Sequence, residues 1–272
     1  MCYIIYMDAE QTAKKEKLHA KLQEFRLLDD DFMVRFFEDD LPRVQFVLQV
    51  ILGNNDLVVK EATVQKVIKS LESRSVRLDV FARDSNGKPY DIEIQKASDG
   101  AGARRARYNS SLIDADELVP GDDTEKLPET YIIFITEKDI YGNNQPLYKI
   151  ERYIDGKELF NDGAHIIYVN GEYRGNDPIG DLMHDFSCKK ASDMKNKILA
   201  EKVRYLKEDE KGVSHMCKIM EDLISDEKIE LALKNLENGV LTEDQIKEVF
   251  QLTPEQAAKV LELYHDKVAV KA

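Results

Sequence analysis

The chain has 272 residues, 43% of them hydrophobic and 33% charged, which suits a packed core and excludes disorder as the default. That length fits one large domain, or one domain with a smaller appendage. The formal charge of −13 weighs against a phosphate-binding surface spread over the whole molecule, since such a surface needs Lys and Arg.

The charge is unevenly spread. Residues 74–108 hold eight Lys/Arg against five Asp/Glu, a net +3 where the remainder carries −16. On charge alone, a binding face and a chance fluctuation of a solvated surface stand level. Cys2, Cys188 and Cys217 are scattered, with no CxxC. That argues against a disulfide framework and a zinc site, and fits a reducing cytoplasm. The opening CYIIYM is too short, and lacks the basic flank, for a secretory leader. No apolar run reaches the length of a membrane span, so a soluble, cytoplasmic protein is expected.

Along the chain, Lys14 to Gly53 reads as helical. Leu18, Leu22 and Phe25 form one apolar stripe, and Phe32, Phe36, Val44, Val47, Leu48 and Ile51 recur at helical spacing after it. Leu57 to Val67 is apolar and β-branched, and is read as extended. Val76–Arg83 and Pro89–Gln95 alternate with period two around the turn-rich DSNGK, which predicts a hairpin. A helix is predicted over AGARRARYNSSLIDADEL, then strands over ETYIIFIT and AHIIYVN, the first apolar enough to be buried on both faces. From Asp181 the pattern is helical, and Thr242/Gln245 and Thr253/Gln256 each form a capping box, the second followed by Pro254 at the first helical position. The expected division is a mixed α/β domain over 1–188 and a helical region over 189–272.

The predicted hairpin places Asp79, Asp91 and Glu93 among Leu78, Val80, Ile92 and Ile94. If it is symmetric about Asn86, with Gly87 supplying a positive φ, Asp79 stands opposite Glu93 and Arg77 opposite Gln95 on one sheet face. Directly opposed carboxylates repel. A hard divalent cation would relieve this, with the Ile94 carbonyl as a third oxygen ligand, and such an ion can activate water against a phosphodiester. The competing reading is an exposed edge hairpin whose acids pair with Arg77, Arg83 or Lys88, and from the residues alone it is the stronger.

Asp79, thirteen intervening residues, then Glu93-Ile94-Gln95 resembles the PD-(D/E)XK nuclease signature, in the variant with Gln at the usual Lys position. The wider text resembles one branch, the transposase-like, recombination-promoting nucleases. Asp29, Phe32 and Phe36 match its early Asp-x-x-Phe-x-x-x-Phe, RLDVFARDSNGKPYDIEIQ its central block and RARYNSSL its following helix. The strands that follow extend the likeness to roughly residues 25–225.

The resemblance implies a restriction-endonuclease-like mixed sheet flanked by helices, and an Mg²⁺- or Mn²⁺-dependent DNA endonuclease. Asp79 and Glu93 would bind metal, and Gln95 would stand where the family's Lys helps orient the attacking water. Gln is neutral and cannot serve as a general base. Lys96 points to the opposite face, so any compensating cation must arrive from elsewhere. A nuclease-fold protein that has lost catalysis and serves DNA binding or assembly is therefore the alternative.

Arg77, Arg104, Arg107 and Tyr108 are the candidate phosphate contacts. For the last three, a solvated helix face stands level with that reading. Asp29 is either a further acid of the site or, preferably, a helix N-cap. The five histidines show no ligand spacing. The tail LTEDQIKEVFQLTPEQAAKVLELY has the cadence of a helix-turn-helix, but Glu255 and Glu262 suit packing or self-association better than a major groove.

Overall fold

The computed structural model describes residues 9–69, 74–96 and 98–271. Cys2, the CYIIYM segment and the side chain of Asp99 lie outside that description. By contacts the chain divides into two compact units, Gln23–Leu206 and Met1–Leu22 with Lys207–Ala272.

The helical N-terminal stretch is three helices: α1 (Ala9–Glu24), α2 (Asp30–Phe37) and α3 (Leu41–Leu52). α2 buries Phe32, Met33, Val34, Phe36 and Phe37. α3 starts with Pro42 in its first turn and stops at Gly53, whose φ of 64° is the left-handed cap that glycine adopts without steric cost.

Six strands form one mixed sheet in the order β1-β2-β3-β4-β8-β5. β1 (Val59–Ile68), β2 (Val76–Asp84) and β3 (Pro89–Gln95) run antiparallel. β3, β4 (Thr130–Thr136) and β8 (Ala164–Asn170) run parallel, and β5 (Leu147–Ile150) closes the edge antiparallel to β8. This is the mixed α/β architecture expected from the sequence. In β4, Ile132 and Phe134 on one face and Ile133 and Ile135 on the other are fully buried, so both faces are covered. β5 and the two-residue strands β6 (Tyr153–Ile154) and β7 (Glu158–Leu159) are additions that the apolar pattern does not signal.

The hairpin has the predicted register. Val80 pairs with Ile92, Phe81 with Asp91, Ala82 with Tyr90 and Arg83 with Pro89, and Gly87 has a φ of 82°. Asp84 fixes the turn: its Oδ1 accepts the N–H groups of Asn86 (2.8 Å) and Lys88 (2.9 Å), and its Oδ2 accepts the Tyr90 hydroxyl (3.0 Å). Helix α4 (Ala103–Glu117) lies against the face carrying Phe81, Ile132, Phe134 and Tyr168, packing Ala106 and Ile113 into that cluster.

After β8 come α5 (Pro178–Ser187) and α6 (Lys197–Glu208). The fully buried Asp185 joins their ends: its carboxylate accepts the N–H groups of Lys195 (2.7 Å) and Asn196 (2.8 Å) and the Asn196 side-chain amide (2.9 Å). Asp185→Ala takes the acceptor from three part-buried donors and empties a fully buried site, and a loss of about 2–4 kcal/mol is expected in denaturant unfolding of the full chain. A loss under 1 kcal/mol would show that water replaces the carboxylate at little cost.

In the second unit, α7 (Glu210–Glu237) packs Ile229, Leu233 and Leu236 against Ile246 of α8 (Glu243–Val249) and Val260 of α9 (Pro254–Lys271). Both predicted capping boxes are present, with Gln245 Oε1 accepting Thr242 N–H (3.0 Å) and Gln256 Oε1 accepting Thr253 N–H (2.9 Å).

Candidate active site

Residues of β3 alternate in the direction of their backbone groups as well as their side chains, and both alternations build the site. Gln95 C=O accepts from Glu137 N–H (3.0 Å), so odd-numbered residues turn their backbone toward β4, while Ile92 and Ile94 turn theirs toward β2. The β2–β3 pairing ends at Val80–Ile92. Two residues on, where Ile94 would next meet the Leu78 backbone, its N–H is taken by Asp79 Oδ2 at 3.0 Å. The strands therefore part at Asp79. Ile94 C=O, on the same side of its strand as its N–H, faces that gap.

The odd-numbered side chains of β3 point under α4. Asp91 and Glu93 are fully buried there, with Asp79 beside them. The exposed, salt-bridged hairpin favoured by the residues alone is thus corrected. Of its proposed partners, Arg83 pairs with Glu117 (2.7 Å) and Lys88 with Glu129 (2.6 Å).

Helix α4 supplies the donors. Asn109 Nδ2 donates to Asp91 Oδ2 (3.0 Å) and Glu93 Oε1 (3.2 Å), and Arg105 Nη2 donates to Glu93 Oε2. Gln95 Nε2 donates to the same Oε2 at 3.3 Å. Arg105 is held at its other arm by Gly100 C=O (2.9 Å), in a 3₁₀ turn spanning Ser98–Ala101. Gly100 also makes room for Gln95: a Cβ there would fall 2.1 Å from Gln95 Oε1.

Burial raises the pKa of all three carboxyls, and repulsion adds to it, from Asp79 on Asp91 and from Asp91 and Asp79 on Glu93. Asp79, held back by the Ile94 N–H and pushed further by Asp30, is raised to about 6, and Asp91 and Glu93 go higher. Arg105 pulls the other way on each of them. Asp91 Oδ1 is buried and accepts no hydrogen bond. An unpaired buried oxygen among crowded carboxyls suits a hard divalent cation, so these residues fit the metal that the signature implies.

A cavity of about 570 Å³ opens beside the cluster, with Asp79, Gln95, Arg105, Arg77, Tyr108 and Asp30 on its walls. Asp79, Glu93, Gln95, the Ile94 backbone, Arg77 and Tyr108 therefore gather in one place. Arg104 and Arg107 do not: both are exposed and neither lines the cavity. Asp29 stands at the N-cap position of α2, but its side chain does not cap. It accepts the Arg26 N–H (2.6 Å) and pairs with Lys96, whose side chain leaves the site as the pleat requires. The next acid, Asp30, is the one that reaches the cavity.

Sequence reasoning left Arg105, Asn109 and Asp30 unassigned, and gave Asp91 no role. The available signal was the buried stripe Ala106–Asn109–Ile113: a polar Asn at a buried helical position needs a buried partner. The sequence spacing also hid a second grouping, His184, Asp185 and Cys188, whose ligand atoms lie within 4.8 Å of one another. Asp185 is already committed to three donors, so that group reads as an anchor for α6.

No curated protein and no solved structure matches the chain. A family model does. It covers β2, β3, α4, β4 and β8, and so takes in the carboxylates, their donors and the parallel half of the sheet. The segment holding the site, residues 45–172, matches the PD-(D/E)XK nuclease family transposase.

Proposed function

We propose that the protein is a divalent-metal-dependent DNA endonuclease of transposase type, with Mg²⁺ the expected ion, promoting recombination. The observation that carries this reading is the unpaired, buried Asp91 Oδ1 in one cluster with Glu93 and with Asp79, which stands where the β2–β3 ladder parts. Asp79, Glu93 and the Ile94 carbonyl hold the cation. When bound, the ion supplies Lewis-acid stabilisation of the phosphodiester and a water of lowered pKa. Gln95 hydrogen-bonds the water or a phosphate oxygen and moves no proton. Arg77, Arg105 and Tyr108, on the cavity wall, meet the phosphate. Among the described residues no helix is long and apolar enough to cross a membrane.

The test is nicking of supercoiled plasmid with and without Mg²⁺. Nicking that persists in excess chelator, or its absence with Mg²⁺ and Mn²⁺ alike, would sink the proposal. In the latter case the alternative gains: the neutral Gln95, which spends its amide on Glu93, suits a decayed nuclease that binds DNA. Two variants separate the readings. Gln95→Lys is expected to keep or raise the rate, because an added cation beside the transferring phosphate can be worth on the order of 3 kcal/mol. Gln95→Ala is expected to lower the rate with little change in Mg²⁺ affinity. Activity gained only in Gln95→Lys marks the wild type as decayed, and equal rates in all three remove Gln95 from the chemistry.

A further inference from the structure

Glu93 already has three donors. Its Oε2 accepts from Arg105 and Gln95 and its Oε1 from Asn109, so both lone pairs of Oε2 are in use. Two of these donors are neutral amides. Arg105 alone of the three brings charge, and forms the ion pair to the cluster. Glu93 itself is fully buried, whereas the Arg105 side chain is 38% exposed and stands on the cavity wall. The long side chain is tied at its second arm to Gly100 C=O at 2.9 Å, and its guanidinium lies 5.9 Å from the Phe134 ring centre. It can therefore leave Glu93 without leaving the site.

We propose that Arg105 is the resident counter-ion of the carboxylate cluster, exchanged when a divalent cation takes Glu93, and that the released guanidinium then turns into the cavity to bind the DNA phosphate. The inference rests on the metal-dependent reading above, and adds the coupling of metal to substrate. Two full cations on one buried carboxylate repel, so the guanidinium gives way when the ion arrives. A freed Arg matches phosphate geometry with its planar fork, and its Gly100 tether limits how far it swings. Metal and DNA then favour one another, because each is helped by the same displaced side chain, and such coupling is reciprocal.

Arg105→Met keeps an unbranched apolar stem and removes the charge. With Ca²⁺ as the probe ion, calorimetry on the full chain should show the variant binding Ca²⁺ about tenfold more tightly than the wild type, within the usual range of coupling. A short DNA duplex should show the opposite. Ca²⁺ should raise its affinity for the wild type, and that gain should shrink several-fold in Arg105→Met. A purely structural role would weaken both ligands together.

A second measurement needs no variant. Ca²⁺ should speed modification of Arg105 by phenylglyoxal in the wild type, followed by peptide mass. Equal or weaker Ca²⁺ binding by Arg105→Met, an undiminished DNA gain, or labelling unchanged by Ca²⁺ each overturns the exchange. If neither protein binds Ca²⁺, the metal-dependent reading fails with it. If both bind equally, the exchange alone fails.

Discussion

Asp79→Ala is expected to lower metal-dependent plasmid nicking by on the order of 10³-fold or more, while the metal-free protein stays within about 1 kcal/mol of wild-type stability. The two halves of this expectation come from different contacts. The loss follows from removing a carboxylate at the parting of the strands. The near-neutral stability follows from opposing changes: Ile94 N–H loses its acceptor, worth about 1 kcal/mol, but repulsion with Asp91, Glu93 and Asp30 is relieved. Asp79 is a better choice than Glu93, whose removal would strand three donors at once. Melting curves run beside the nicking assay decide the matter. A fall of several degrees in metal-free Asp79→Ala would mark the acid as structural.

The second large effect is a dependence of metal-free stability on pH that runs opposite to acid denaturation. A carboxyl whose folded pKa lies above its unfolded value binds its proton more tightly when folded. Stability from such a group is complete below the unfolded pKa, near 4, and is lost as pH rises through the folded value. For Asp79 that loss is centred at about 6, and for Asp91 and Glu93 it continues upward. A tenfold tighter hold on one proton is worth about 1.4 kcal/mol, so the metal-free protein should lose a few kcal/mol between about pH 5 and pH 9. Saturating Mg²⁺ should flatten the profile, because the ion offsets the charge that deprotonation creates. Urea unfolding at pH 5, 7 and 9, in chelator and in Mg²⁺, measures this. Rising stability across that range in chelator would show that the cluster is not strained by its charges.

The hairpin was legible because every cue agreed: period-two alternation, a glycine at the position needing positive φ, and a symmetric register that follows once the turn is fixed. Local chemistry therefore set the register as far as Val80–Ile92; the expected pairs Asp79–Glu93 and Arg77–Gln95 lie past that end, where Asp79 takes the Ile94 N–H instead. The burial of the carboxylates was not legible, since it depends on α4 covering that face, and no pattern within the hairpin reports what lies above it. The same gap explains why Arg104 and Arg107 were preferred to Arg105. Helical spacing fixes which residues share a face, but only the sheet beneath fixes which face turns inward. Asp29 takes the expected N-cap position, but that position does not oblige its carboxylate to cap when Arg26 and Lys96 compete for it. β5 was missed because a short, half-exposed edge strand carries almost no apolar signal.

The three carboxylates and their donors all fall within residues 79–109, one hairpin and the helix that follows it. Contacts so near in sequence close early in folding, before the long loops that bring β4 and β8 alongside. The repulsion of the cluster is therefore met in the folding transition state, not merely in the finished molecule. Crowded charge should slow the forward reaction more than it speeds the reverse, and an ion captured at that stage should act as a folding accelerator. Refolding traces with and without Mg²⁺ would read this as a lift of the folding arm of the chevron with the unfolding arm nearly unmoved.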